Sequence, residues 1–109
     1  MSNLKAVHRY RHTPKGLDAN RRSHLKTRYG IDIDFYDKLL AKQNNRCGIC
    51  DKHISEEKSH FSVDHDHELW GPESVRGLLC RKCNAGVGNL GDSLEGVKKA
   101  LKYLEEFYE

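Results

Sequence analysis

Apolar positions along the chain fall in short runs separated by polar and glycine-containing breaks. From Leu17 to Tyr29 only Leu17, Leu25 and Tyr29 are apolar at helical spacing, which predicts a polar helix with Gly30 as its C-cap and a partner outside itself. Residues 1–16 read as extended, with "TPKG" as a break. Asp34, three residues before Asp37, reads as the N-cap of a second helix carrying Phe35, Tyr36, Leu39 and Leu40 on one stripe and ending near Asn44–Asn45. "HFSVDH" (60–65) alternates with period two and predicts a strand. "WGP" is a turn, and "SVRGLLC" (74–80) fits the return strand of a hairpin. After Cys83, "NAGVGNL" predicts a short helix weakened by Gly86 and Gly88. "GD" (91–92) breaks it, and Asp92 or Ser93 caps a last helix with apolar positions Leu94, Val97, Leu101, Leu104, Phe107 and Tyr108. Helices flanking one hairpin make the expected class α+β.

The cysteines add a second organising principle. They form two pairs, "CGIC" (Cys47, Cys50) and "CRKC" (Cys80, Cys83), whose two-residue spacers let both thiolates of a knuckle face one ion. The expected role is one structural zinc that ties two distant segments together. The 29 residues between the pairs exceed the ~15–20 of a simple zinc ribbon, so something is inserted there. With four cysteines the zinc shell is closed, whereas a catalytic zinc keeps a position open. Any chemistry therefore belongs to the insert.

Composition narrows the class further. A chain of 109 residues with 37% hydrophobic content and a mean hydropathy of −0.82 has a thin core, which a metal would supplement. It contains no apolar run near membrane-spanning length and no apolar stretch after its first basic residues, so a cytoplasmic protein without a membrane or secretion segment is expected. Residues 1–30 carry eight basic residues against Asp18 alone, while residues 31–109 carry 11 basic and 15 acidic residues. A basic arm (1–30) on a mildly acidic body (31–109) points to a polyanion partner, with Arg21, Arg22, Lys26 and Arg28 as candidate nucleic-acid contacts.

The insert contains "VDHDHELW" (63–70), with Asp64, His65, Asp66 and His67 in succession. Phosphodiester hydrolysis needs a base for water and a hard cation to neutralise phosphoryl charge. Such a cation takes oxygen ligands. Asp64 offers a carboxylate, Asn84 an amide oxygen and His65 a base, which is sufficient for a one-metal nuclease. Asp64 and His65 would face opposite sides of a regular strand, so both reach one phosphate only if the strand ends or bends there. His67 shares a face with His65 and could exchange roles with it. Asp66 is expected to face solvent or orient a histidine. Arg76, Arg81 and Lys82 are further candidate phosphate contacts; His53, His60 and Trp70 read as surface or packing residues.

"CGIC" and "VDHDHELWGPESVRGLLCRKCNAGVGNLGD", with the helix before the first knuckle, resemble the recombination endonuclease VII family of phages, which belongs to the HNH or His-Me finger nucleases. The resemblance spans about residues 35–95. It implies a small zinc-stabilised ββα-metal core with flanking helices and Cys47, Cys50, Cys80 and Cys83 as zinc ligands. It implies Asp64 and Asn84 as ligands of a catalytic magnesium or manganese ion, His65 as general base, and His67 as a second active-site histidine. It also implies cleavage of DNA, duplex or branched, in the host cell. Some relatives carry an acid one turn after the Asn, where this chain has Val87. Long relatives continue into a helical dimerisation and junction-binding region, where this chain stops at Glu109; symmetric cutting of both strands would favour a homodimer, with its contact at the first and last helices. Two other readings stand beside the enzyme: a non-catalytic zinc-knuckle DNA-binding module, and a second zinc held by Asp64, His65 and His67.

Overall fold

The computed structural model describes residues 14–108, with side chains from Asn20 onward; the extended reading of residues 1–13 lies outside it. The elements run α1 (Pro14–Tyr29), α2 (Ile33–Lys42), β1 (Ser62–His65), β2 (Val75–Leu79), α3 (Arg81–Asn89) and α4 (Leu94–Tyr108), an α+β arrangement about one antiparallel hairpin. Among the described residues no helix is long and apolar enough to cross a membrane.

Helix α1 starts at Pro14, not after the expected break at 13–16. Proline is tolerated at the first helical position because the first turn leaves its N–H groups unpaired anyway. The helix ends at Gly30, whose φ of +67° is left-handed and whose N–H donates to the Lys26 carbonyl at 3.0 Å. A Cβ at Gly30 would lie 2.9 Å from the Trp70 indole, so both conformation and close approach require glycine. Leu25 and Ile31 carry this end of the chain into the core, beside Tyr36, Phe61, Val63, Leu78 and Leu79.

The cap of α2 is Asp32 rather than Asp34: its carboxylate accepts from the Phe35 N–H at 2.8 Å. Burial of Ile31 turns the chain so that Asp32 takes the extended backbone a cap needs, while Asp34 already lies in the first turn. The helix ends at Gln43, followed by Asn44 and Asn45 in left-handed conformation. The stripe buries Tyr36, whose hydroxyl donates to the Phe61 carbonyl at 2.9 Å.

In the hairpin Ser62 pairs with Leu79, Val63 with Leu78 and Asp64 with Gly77, but His65 pairs with Val75. Arg76 is thus an extra residue opposite the Asp64–His65 junction, a β-bulge. Gln43 extends the sheet with its side chain, accepting from the Leu78 N–H at 2.8 Å and donating to the Leu78 carbonyl at 2.9 Å. Helix α3 begins at Arg81, inside the second knuckle and earlier than the "NAGVGNL" reading, because Cys80 itself is the N-cap. Ser93, not Asp92, caps α4, its hydroxyl accepting from the Gly96 N–H at 3.0 Å. A Cβ at Gly96 would meet the Leu90 carbonyl oxygen at 1.7 Å, so α4 leaves α3 through a contact only glycine permits. The apolar face of α4 is not covered among the described residues: Leu94, Val97, Leu101, Leu104 and Phe107 are 39–80% exposed.

Candidate functional site

The first knuckle is a tight turn. The Cys47 N–H donates to the Lys52 carbonyl at 2.8 Å, and Asp51 takes a left-handed φ to close it. The Gly48 N–H donates to the Leu78 carbonyl at 3.0 Å, which fastens this turn to β2. The second knuckle is the N-terminus of α3, directly continuous with β2. Together they bring the four Sγ atoms within 4.8 Å of one another, with Cys50 and Cys80 at 3.7 Å. A tetrahedral ion with ~2.3 Å bonds to sulfur sets its sulfurs about 3.8 Å apart. The quartet could therefore hold one zinc ion with little rearrangement. Burial opposes ionisation of Cys47, but backbone N–H groups of Cys80, Cys50 and Ile49 bring its thiol down to about 6. Burial and the neighbouring thiols push Cys83 up to about 12. A thiolate forms readily at Cys47, whereas Cys83 needs a cation beside it.

At the other end of the hairpin the bulge gathers a second cluster. Arg76 grips Asp64 with both arms of its fork, Nε to Oδ2 at 2.9 Å and Nη2 to Oδ1 at 2.8 Å. The same Nη2 reaches Oδ1 of Asp92 at 2.5 Å, and the other oxygen of Asp92 lies 3.4 Å from His67 Nε2. The rings of His65 and His67 lie 4.4 Å apart, and Tyr29 meets His65 edge-on at 5.0 Å. Hydrogen bonding to Asp64, and then to Asp92, raises the pKa of Arg76 against the opposing effect of burial, so it is a permanent cation here. Asp64, His65 and His67 thus belong to one connected group.

Asn84 lies in the first turn of α3, and its side chain makes no hydrogen bond to a described residue. It lines a cavity of about 230 Å³ with Arg21, His24, Tyr29, Tyr36 and His60. Tyr29 is the link between the two places, touching His65 and lining the Asn84 cavity. Burial, then the charges of Arg21 and His24, lowers the pKa of His60. Arg21 lies over the Tyr36 ring at 4.1 Å, and its Nε is buried without a hydrogen-bond partner.

Other sequence candidates take varied positions. Arg81 and Lys82 are exposed on the first turn of α3; Arg22, Lys26 and Arg28 are exposed on α1. Asp66 is a turn residue, its carboxylate accepting from the Glu68 N–H at 2.9 Å. His53 caps a short 3₁₀ turn through Nδ1. Trp70 is exposed beside Gly30. The cysteine quartet is the group of three or more His, Cys, Asp or Glu side chains gathered closely enough for a metal among the described residues; Asp64, His65 and His67 are not drawn together in that way. Sequence reasoning missed two participants. Asp92 was read only as a helix break or cap, and Tyr29 only as helix packing; neither has a local pattern that places it beside the histidines.

A family model described as recombination endonuclease VII matches residues 22–106. The Gene 59 protein of Mycobacterium phage L5 is 42% identical over 77 residues, covering 70% of this chain and 44% of that relative. The chain thus spans less than half the length of that relative.

Proposed function

Because the chain belongs to the recombination endonuclease VII family, we propose that it is a divalent-metal-dependent DNA endonuclease of the HNH, His-Me finger type, cutting phosphodiester bonds by nicking or at branched DNA. The observation that carries this reading is the bulge at Asp64–His65. Strand neighbours ordinarily face opposite sides. A bulge re-aims side chains, so adjacent residues can serve one phosphate.

His65 is the general base, in ring contact with His67, which can relay or share its proton. Tyr29 also packs edge-on against the His65 ring. Asp64 and Asn84 are the ligands offered to magnesium or manganese. Their chemistry fits a hard cation: Asp64 already balances a positive guanidinium, and the Asn84 amide has no competing partner among the described residues. When bound, that cation supplies charge neutralisation at the phosphoryl and leaving oxygens. Exposed Arg22, Lys26, Arg28, Arg81 and Lys82, with Arg21 in the Asn84 cavity, supply affinity for the DNA backbone, which should weaken steeply with salt. Residues 1–30 act as the basic arm and 31–109 as the nuclease body, in the cytoplasm of the infected cell. The expected products carry 5′-phosphate and 3′-hydroxyl ends.

The test is plasmid nicking with magnesium or manganese by zinc-loaded protein. His65→Ala should lower the rate by about 10²–10⁴-fold with unchanged circular dichroism. Cleavage at the wild-type rate by His65→Ala would remove the base assignment. DNA binding by wild type without cutting under any divalent ion would make the protein a zinc-knuckle binding module instead.

A homodimer is the assembly that α4 supports. Leu94, Val97, Leu101, Leu104 and Tyr108 follow a heptad, flanked by Lys98 and Glu105 at equivalent positions. Antiparallel pairing of two copies would set each Lys98 against the partner's Glu105. Sedimentation should show Lys98→Glu dissociating the dimer and added Glu105→Lys restoring it. A wild-type monomer at tens of micromolar would refute this assembly.

A further inference from the structure

Arg76 is an unusual place for a bulge to put its extra residue. Its guanidinium is shared by two carboxylates, and a single nitrogen, Nη2, touches both Asp64 and Asp92. The two acids come from different parts of the chain: Asp64 from β1, and Asp92 from the left-handed corner between α3 and α4. Asp92 is fixed there by its own N–H, which donates to the Val87 carbonyl at 2.9 Å. Its second oxygen faces His67. Two carboxylates on one guanidinium leave a net negative charge, and the Arg76 side chain is 40% exposed. Asp64 and Asp92 are more covered, at 16% and 23%, so the exposed guanidinium is the partner free to move when a cation arrives at Asp64.

We propose that Arg76 is a partner-exchanging residue. It neutralises Asp64 until a divalent cation takes that carboxylate, and then, still tethered by Asp92, turns its freed donors to a DNA phosphate. Asp92 is the positioning residue that makes the exchange possible. Without it, Arg76 has Asp64 as its only anchor and competes with the cation at full strength. With it, Arg76 can release Asp64 and remain at the site, repelled by the incoming charge but not lost to solvent. A guanidinium suits this because its fork presents several donors, so one face can hold Asp92 while another meets phosphate. The inference rests on the reading that Asp64 meets the divalent cation.

The first measurement is manganese affinity of zinc-loaded, DNA-free protein, read from the paramagnetic resonance of free Mn²⁺. Arg76→Ala should tighten binding about fivefold, the scale of a partly exposed ion pair. Asp92→Asn should weaken it by a similar factor. The double variant should match Arg76→Ala alone, because Asp92 acts through Arg76. Unchanged or weaker binding in Arg76→Ala overturns the proposal. So does an Asp92→Asn penalty that persists without Arg76, which would make Asp92 a direct ligand. Asp64→Asn at wild-type affinity would instead defeat the underlying cation assignment, a different failure.

The second measurement uses duplex DNA and the non-cleaving His65→Ala background. With Mn²⁺ present, adding Arg76→Ala should reduce the slope of log affinity against log salt by about one. Without Mn²⁺ the slope should not change, since Arg76 is then held by Asp64. A slope change independent of Mn²⁺ means that Arg76 contacts phosphate without exchange, and overturns the proposal. Arg76→Ala should melt within a few degrees of wild type, which separates these readouts from loss of fold.

Discussion

One hairpin carries a cluster of charge-bearing groups at each of its ends, and the two are built in opposite ways. At the β2–α3 end the cysteines form a quartet in which Cys47 and Cys80 are 3% and 2% exposed. Backbone N–H groups already point at their sulfurs: Cys80 to Cys47 at 3.3 Å, and Cys83 to Cys80 at 3.4 Å. At the bulged end, Asp64, Arg76, Asp92 and His67 are partly or largely open to water, and charge balance rather than burial holds them. The quartet offers four like ligands to one occupant, with Cys47 and Cys80 buried, Cys83 half-buried and Cys50 exposed. The bulged cluster balances opposite charges against one another and so can change partners. A staple and a reactive site thus differ in whether their groups need a common ion or already satisfy one another.

The largest effect that can break this comparison is loss of the quartet. Chelation of zinc, or Cys80→Ser, should unfold the domain and abolish its cooperative thermal transition, measured by circular dichroism. Structural zinc contributes on the order of 10 kcal/mol to domains of this kind, at least as much as the ~5–15 kcal/mol net stability of a typical domain. Among the described residues the buried core is nine side chains, including Cys47 and Cys80 themselves, so little remains once the quartet is gone. A cooperative transition at the wild-type midpoint after complete zinc removal would show that the quartet is not the staple.

The two ends also differed in how far the sequence disclosed them. The quartet was legible because its signal is local: each CxxC is a complete knuckle, and only their meeting is a tertiary fact. Helices α1 and α2 were legible through Gly30, Asn44–Asn45 and the Tyr36 stripe, although the cap moved from Asp34 to Asp32 once Ile31 was buried. The Asp64–His65 pair was readable as chemistry, but the bulge that relieves its alternation has no sequence mark. At the bulge, Arg76 lies opposite the junction and pairs with two carboxylates at once. Asp92 was invisible for a related reason. Only the length of α3 and the close approach at Gly96 bring that corner back to His67, and neither is a periodicity. Burial patterns announce cores; partner choice among exposed charges is settled by the fold.

A smaller perturbation sharpens the contrast, because one carboxylate stands at the quartet without belonging to it. Glu57 accepts from the Arg81 N–H at 2.8 Å, at the start of α3, and from Lys52 Nζ at 3.0 Å, in the first knuckle. It therefore ties together the same two segments that the cysteines tie. The Arg81 N–H, and then Lys52, lower its pKa below the ordinary glutamate range of ~4.3. A depressed folded pKa means that the unfolded chain binds the proton more readily. The contribution is then present above the unfolded value and is lost as pH falls through the folded one. Glu57→Gln should lower the melting midpoint by a few degrees at most at pH 7. The gap between variant and wild type should close as the pH drops below about 4. Zinc loss at low pH acts on both proteins, so their difference isolates Glu57. A gap that stays constant with pH would assign the effect to the shape of the side chain rather than its charge. A gap as large as that of Cys80→Ser would mean that a single carboxylate can staple this fold as firmly as the cysteine quartet.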